Sequence, residues 1–135
     1  MASRPRRSAY VPQEIEPRWQ QIWAERGVMK ASDSSPKPKY YDLVMYPYPS
    51  GDLTVGHARN YVMGDVLARM KRMQGFEVLH PFGWDAFGLP AENAAMKRGG
   101  GLHPRTWTLQ NIAKAKRELK MMGILYDWDR EVTST

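Results

Sequence analysis

The segment of residues 46–57, YPYPSGDLTVGH, most constrains how this chain can fold. It follows an apolar stretch, residues 40–45, that is typical of a β-strand. Its two prolines and its Ser-Gly pair favour a turn, and a helix is predicted from about His57 to Gln74. A strand end, a turn of small residues and the positive end of a helix form a common phosphate-binding arrangement. The segment therefore predicts a nucleotide site, with a plain helix cap and a surface histidine as the alternative.

Length and composition bound the other possibilities. The 135 residues suffice for one domain, and the net charge of +6 mildly favours polyanionic partners. The chain has no cysteine, which suits a reducing compartment, and no apolar run approaches the ~18 residues of a membrane helix. We expect a cytoplasmic protein without a membrane partner, with import into an organelle as the alternative. Residues 1–13, which include Arg4, Arg6 and Arg7, are predicted to be a basic disordered tail.

The order of predicted elements indicates an α/β fold. A helix over residues 14–26 precedes strands at 40–45 and 76–80, which are joined by the helix at 57–74. A turn at 83–92, a short helix to about 97, a glycine hinge at 99–101 and a helix at 104–122 follow. Strand, helix and strand in this order favour a right-handed parallel unit. Two parallel strands leave open edges, so we expect residues 14–135 to be part of a larger domain.

Periodicity predicts which helix faces are buried. For the helix at 57–74 the predicted apolar face consists of Val62, Val66, Met70 and Met73. For the last helix it consists of Thr108, Ile112, Ala115, Leu119 and Met122.

Three motifs carry a resemblance to a known family: TVGH at 54–57 with its YPYPSG lead-in, GWDAFGLPAE at 83–92, and LYDWDRE at 125–131. From about Ile15 onward the chain resembles the amino-terminal part of class I aminoacyl-tRNA synthetases, and among these the bacterial-type leucyl enzymes. The resemblance implies the first half of a Rossmann-like (HUP-type) parallel-sheet domain, ending before any editing insertion. It also implies activation of leucine with ATP and Mg²⁺ to leucyl-adenylate, and transfer to tRNA(Leu).

The resemblance assigns the phosphate-binding residues. His57 matches the last histidine of the family's HIGH motif, whereas Thr54 stands where the family has the first histidine, so one chargeable group is replaced by a hydroxyl. If the lost bond was charge-assisted, the cost is about 1–2 kcal/mol. Both residues are the predicted catalytic pair. The predicted ATP-binding residues are Pro47, Ser50, Gly51, Thr54, Gly56 and His57.

The resemblance also assigns the amino-acid site. Asp85 would hold the α-amino group of leucine, since a carboxylate is a natural partner for an ammonium group. Met45, Tyr46 and Tyr48 would lie around the amino acid. The alternative for Asp85 is a turn residue that bonds its own backbone.

Basic residues on the last helix suggest a further partner. Arg105, Lys114 and Arg117 are candidate contacts to a tRNA backbone, although an ordinary solvated helix face explains them equally simply. His80 and His103 lack a metal-ligand pattern, so Mg²⁺ is expected to arrive bound to ATP rather than at a protein site.

The family's second ATP motif, KMSKS, does not occur in this sequence. We therefore expect weak or no activity from the chain alone, and a carboxyl-terminal half of the synthetase as a partner. Two alternatives stay open: a non-catalytic fragment that binds nucleotide or RNA, or half of a split synthetase. Another nucleotidyltransferase of the same superfamily is a third.

Overall fold

The computed structural model describes residues 10–98 and 100–134. Four helices and four short strands follow one another as α1 (Pro12–Glu25), β1 (Lys39–Tyr41), α2 (Val55–Met73), β2 (Glu77–Leu79), β3 (Gly83–Trp84), α3 (Leu89–Arg98), α4 (Pro104–Met121) and, after a 3-10 turn at Trp128–Arg130, β4 (Val132–Thr133). The predicted α/β class is confirmed. The arginines of the predicted tail, Gly99 of the predicted hinge, and Thr135 lie outside the described residues. Within the described part, no helix combines the length and apolarity that crossing a membrane requires.

The strands form two parallel pairs. Tyr40 of β1 is opposite Val78 of β2, and α2 forms the crossover between them, as the sequence predicted. Gly83 of β3 is opposite Val132 of β4, a pairing that the sequence did not predict. β3 lies inside the segment predicted as a turn, and β4 directly follows the motif at 125–131. Next to this pair, Trp84 Nε1 donates to Glu131 Oε1 (2.7 Å), so two of the three motifs are in contact.

β1 is shorter than the predicted strand. Its ladder to β2 ends where the Asp42 N–H donates to the Leu79 carbonyl (2.9 Å), and no further strand is paired with it among the described residues. The alternation of a strand nevertheless continues, with Asp42 and Val44 buried and Leu43 and Met45 exposed. The prediction over residues 40–45 thus had the direction of the side chains right and the extent of the ladder wrong.

The predicted face of α2 is wrong. Val62, Val66, Met70 and Met73 are between 40% and 82% exposed, whereas Tyr61, Asp65 and Ala68 are buried. The helix packs through small residues: a Cβ at Gly64 would lie 2.5 Å from Val44 Cγ1. A buried aspartate and a glycine do not register as apolar in a periodicity argument, so the face one residue away was chosen.

The face of α4 agrees much better with its prediction. Thr108, Ile112, Ala115 and Leu119 are buried, but Met122 is 45% exposed because the helix has ended at Met121. Gly123 follows with a φ of +73°, a left-handed conformation that terminates helices and suits glycine. Asn111, which was not predicted, is also buried on this face.

α1 begins at Pro12, two residues before the predicted boundary, with proline at the first helical position. None of its residues is buried, and Trp19 is 48% exposed. Periodicity predicts an apolar face of Ile15, Trp19, Ile22 and Trp23 for this helix, so that face is not part of the core. The main core lies elsewhere, around Phe82, whose ring contacts those of Tyr61, Trp84 and Tyr126. The site described next surrounds this aromatic centre.

Candidate functional site

The amino-terminal end of α2 is closed by a reciprocal cap. Thr54 is the N-cap, and its Oγ1 accepts a hydrogen bond from the His57 N–H (3.4 Å). His57 Nδ1 in turn accepts one from the Thr54 N–H (3.0 Å) and lies 2.9 Å from Thr54 Oγ1. This is the geometry of a capping box in which histidine replaces the usual glutamate or glutamine. The two predicted catalytic residues therefore contact each other.

The cap fixes the tautomer of the His57 ring. Because Nδ1 accepts the Thr54 N–H, the neutral imidazole carries its proton on Nε2. The ring is held by stacking on Tyr61, with centroids 6.0 Å apart and planes 26° apart. His57 thus has an N–H donor besides the capping nitrogen, at the positive end of a helix. An anion there would meet Nε2–H and the free backbone N–H groups of the first turn.

The helix start also has room for a ligand. A Cβ at Gly56 would meet only Thr54 Oγ1, at 3.5 Å. Of the other predicted ATP-binding residues, Pro47 is buried while Ser50 and Gly51 are partly exposed in the loop before the helix.

A cleft of about 360 Å³ lies beside β3 and β4, within the size range of small-molecule sites. Three predicted amino-acid-binding residues, Met45, Tyr46 and Asp85, line it together. Tyr48 is not part of its wall and is 54% exposed. The remaining wall residues were not predicted: Leu43, Val44, Trp84, Val132 and Ser134.

Asp85 supplies the charge of this cleft. Its Oδ1 is 3.3 Å from Ser134 Oγ, and none of the ion pairs found in the described part of the chain involves it. Ser134 Oγ accepts the Ala86 N–H (2.9 Å), so it fixes the backbone of the turn that carries Asp85. A half-buried carboxylate without a cation, next to Met45 and Val132, suits a ligand with an ammonium group and an aliphatic chain.

The cleft and the helix start are joined through the loop and the aromatic core. The Asp85 N–H donates to the Pro47 carbonyl (3.0 Å). His57 stacks on Tyr61, Tyr61 contacts Phe82 edge to face, and Phe82 contacts Trp84, the residue before Asp85. The helix start and the cleft are thus linked by one backbone hydrogen bond and by a series of ring contacts through the core.

The three candidate tRNA contacts lie on α4. Lys114 forms an ion pair with Asp52 of the loop and lies 3.8 Å from Glu118. Arg105 and Arg117 are exposed on α4. These observations do not test a contact with tRNA, which stays a prediction for all three residues.

The described polar contacts of the buried His80 side chain are all to Asp42, and they indicate a structural role. His80 is fully buried, and its Nδ1 lies 3.1 Å from the Asp42 carbonyl oxygen and 3.6 Å from Asp42 Oδ2. Burial raises the pKa of the Asp42 carboxyl; His80 opposes that rise and Asp65 adds to it. Across residues 10–98 and 100–134, no three His, Asp or Glu side chains form a group that could hold a metal ion.

The residues missed by the sequence gave little local signal. Val132 and Ser134 reach the cleft only through the pairing of β4 with β3, 49 positions apart in sequence at Gly83 and Val132. The β-branched pair Val132-Thr133 was the only hint of that strand. Asn111 is polar inside an otherwise apolar helix face, which a periodicity argument discards.

Comparison with known proteins defines the class of this fold and site. The sequence model of the family described as tRNA synthetases class I (I, L, M and V) matches residues 18–135. The chain belongs to this family. Within it the chain is similar to leucine--tRNA ligases: it is 58% identical over 125 residues both to that of Azorhizobium caulinodans and to that of Thermotoga maritima. The predicted resemblance to the leucyl enzymes is confirmed.

Solved structures agree with the sequence relatives. The chain superposes on a LeuRS of Agrobacterium radiobacter, solved with tRNA and LeuAMS, with a TM-score of 0.88 and 47% identity over 93% of this chain and 16% of that one. For the methionyl-tRNA synthetase of Mycobacterium tuberculosis with methionyl-adenylate, the TM-score is 0.63 and the identity 29%, over 67% of this chain and 17% of that one. The match covers 93% of this chain but only 14% and 15% of the two curated relatives.

Proposed function

We propose that this chain supplies the amino-terminal part of the site at which a leucine--tRNA ligase activates leucine with ATP and transfers it to tRNA(Leu). One observation carries the proposal: the same cleft holds the Asp85 carboxylate and the apolar side chains of Leu43, Met45 and Val132. Free leucine presents an ammonium group and an aliphatic side chain, and this wall complements both. The names of the similar proteins point to the same amino acid.

Asp85 receives the α-amino group of leucine in this proposal. A charge-assisted hydrogen bond of this kind contributes about 1.5–3 kcal/mol. Tyr46 and Met45 bound the amino acid, and Tyr48 covers it from outside the cleft. Ser134 keeps the turn of Asp85 in place through the Ala86 N–H.

ATP occupies the start of α2 and the preceding loop. His57 Nε2–H and the helix dipole face the phosphates, and Gly56 leaves the backbone accessible. Pro47, Ser50 and Gly51 shape the loop. Thr54 contributes mainly by capping, since its hydroxyl already contacts the His57 N–H and ring. Mg²⁺ enters as the ATP complex.

The reaction requires no covalent protein nucleophile. A carboxylate oxygen of leucine attacks the α-phosphorus in line, the bond to the bridging oxygen breaks, and pyrophosphate leaves with that electron pair. A tRNA hydroxyl then attacks the carbonyl carbon of leucyl-adenylate and releases AMP. The described residues act by holding the two substrates in line and by stabilising phosphate charge.

The remainder of the synthetase is the expected partner, because the match covers only 14% and 15% of the two curated relatives. We expect weak or no activity from the chain alone, and a cytoplasmic location as for a protein of translation. The second candidate is a fragment that binds without turning over. It is favoured by Thr54, whose hydroxyl is engaged in the cap and carries no charge for a phosphate.

Leucine-dependent exchange of pyrophosphate into ATP tests the proposal. The assay compares the chain, the complementary remainder of a leucyl-tRNA synthetase, and an equimolar mixture of the two. A second mixture contains the Asp85→Asn variant of the chain, which removes the charge at nearly constant size. We expect pyrophosphate exchange only in the mixture of the unaltered chain, and a strong loss of exchange with Asp85→Asn. A silent mixture supports the non-catalytic fragment, and full-length rates from the chain alone contradict the expected need for a partner.

A further inference from the structure

The loop of residues 46–54 has few regular contacts of its own. Pro47 and Pro49 have no backbone N–H to donate, and the segment is neither helix nor strand. One described backbone hydrogen bond anchors it to the cleft, from the Asp85 N–H to the Pro47 carbonyl. A loop that must hold phosphates in one geometry needs anchors from other elements, and α4 provides them.

Asn111 is the most buried of these anchors. Its side chain is 9% exposed, and its Nδ2 donates to the Pro49 carbonyl across 3.2 Å. It shares the buried face of α4 with Ile112 and Ala115. A buried amide is costly unless it is hydrogen-bonded, so an apolar residue would pack here more simply. The amide has a specific effect: it ties the loop to a rigid helix.

Two further side chains approach the same loop. Lys114, on the same side of α4 three residues on, pairs with Asp52. Arg98, at the end of α3, places Nη1 3.5 Å from where a Cβ of Gly51 would be. Pro49, Gly51 and Asp52 are thus each approached by a polar side chain from α3 or α4.

We propose that Asn111 is a positioning residue for the 46–54 loop, and that it holds the loop in the form that receives ATP. The inference rests on the proposed function for its consequence, but the positioning itself is a property of the free chain. Without the Asn111 bond the Pro49 carbonyl is released, and the turn of Ser50 and Gly51 moves relative to the start of α2. ATP binding must then also order the loop, which weakens the affinity.

Amide hydrogen exchange of the 135-residue chain tests the positioning directly. Asn111→Leu removes the donor at nearly constant size, and Thr108→Val is the matched control, since Thr108 is buried on the same helix face. We expect Asn111→Leu to speed exchange across residues 46–56 about tenfold, as for the loss of one hydrogen bond. The amides of α4 should keep their protection, and Thr108→Val should leave the loop unchanged. Equal loop exchange in the two variants would overturn the inference.

A measurement on the unaltered chain covers the case in which Asn111→Leu fails to fold. The side-chain amide protons of Asn111 should show nuclear Overhauser effects to Pro49 and Ser50, together with slow exchange. Their absence, with fast exchange, would also overturn the inference.

Binding separates this inference from the proposed function. With a non-hydrolysable leucyl-adenylate analogue as probe, we expect Asn111→Leu to bind about tenfold more weakly than Thr108→Val. If the unaltered chain fails to bind while Asn111→Leu still loosens the loop, the proposed function is wrong and the positioning stands. If the analogue binds equally to both variants and loop exchange is equal, the positioning is wrong and the proposed function stands.

Discussion

The ring of Tyr46 lies directly on the backbone of Gly83. A Cβ at Gly83 would be 2.6 Å from Tyr46 Cζ and 2.7 Å from Cδ2, far inside van der Waals contact. Burial of the ring also raises the pKa of the Tyr46 hydroxyl. Tyr46 and Asp85 line the same cleft, and the contact exists only because residue 83 has no side chain.

Gly83→Ala should therefore displace Tyr46 and destabilise the chain. Overpacking of this kind costs about 1–3 kcal/mol in the free energy of unfolding, measurable by urea denaturation, with a loss of tyrosine near-ultraviolet circular dichroism. Gly56→Ala is the control, because its Cβ meets only Thr54 Oγ1 at 3.5 Å. An alanine at position 83 that leaves both signals unchanged would mean that the ring does not lie on this glycine.

The cap of α2 predicts a stability effect at Thr54. Thr54→Val keeps the shape and removes the hydroxyl that accepts the His57 N–H. Loss of an N-cap costs about 0.5–2 kcal/mol, so the midpoint of urea unfolding should fall. Thr54→Ser retains the oxygen and should stay close to the unaltered chain. Equal stability of the valine and serine variants would show that Thr54 does not cap the helix.

The raised pKa of Asp42 predicts a pH dependence of stability. Burial disfavours the charged carboxylate in the folded chain, so stability present below the unfolded pKa is lost as the pH rises through the folded pKa. Asp42→Asn cannot ionise and escapes this loss. Its free energy of unfolding should exceed that of the unaltered chain near pH 8, and the difference should shrink towards pH 4.

Denaturant unfolding across this pH range measures the effect. Glu14→Gln serves as the control for a simple change in net charge, because Glu14 is exposed and takes part in none of the ion pairs found in the described part of the chain. A difference that is constant with pH, or that grows as the pH falls, would contradict the burial of a charged Asp42.

Prediction from the sequence succeeded where a local pattern determined the outcome. The parallel β1–α2–β2 unit and four of the five predicted residues of the α4 face follow from periodicity. The face of α2 was missed because packing there is governed by Gly64, which allows close approach to Val44, and by Asp65, whose carboxylate accepts the Leu125 N–H (2.9 Å). Tertiary contacts thus determine which face of α2 is buried, and the apolar residues that periodicity predicted to be buried are exposed.

The candidate site could also be predicted only in part, because some of its residues are brought together by tertiary contacts. Motif resemblance identified Asp85, Met45 and Tyr46, which line one cleft, and also Thr54 with His57, which contact each other. Ser134 and Asn111 reach the site from distant parts of the chain, so no local pattern could reveal them. The reciprocal cap formed by Thr54 and His57 agrees with the alternative that the sequence left open for this segment, a plain helix cap.

Isothermal titration of the chain with a non-hydrolysable leucyl-adenylate analogue tests the central claim most directly. We predict saturable binding that Asp85→Ala weakens about 10- to 100-fold, the equivalent of one charge-assisted hydrogen bond. His57→Ala should weaken it as well, and His57→Gln, which keeps an acceptor at the third helical position, separates loss of the cap from loss of the imidazole. Binding that is equally tight in the unaltered chain, Asp85→Ala and His57→Ala would contradict the account.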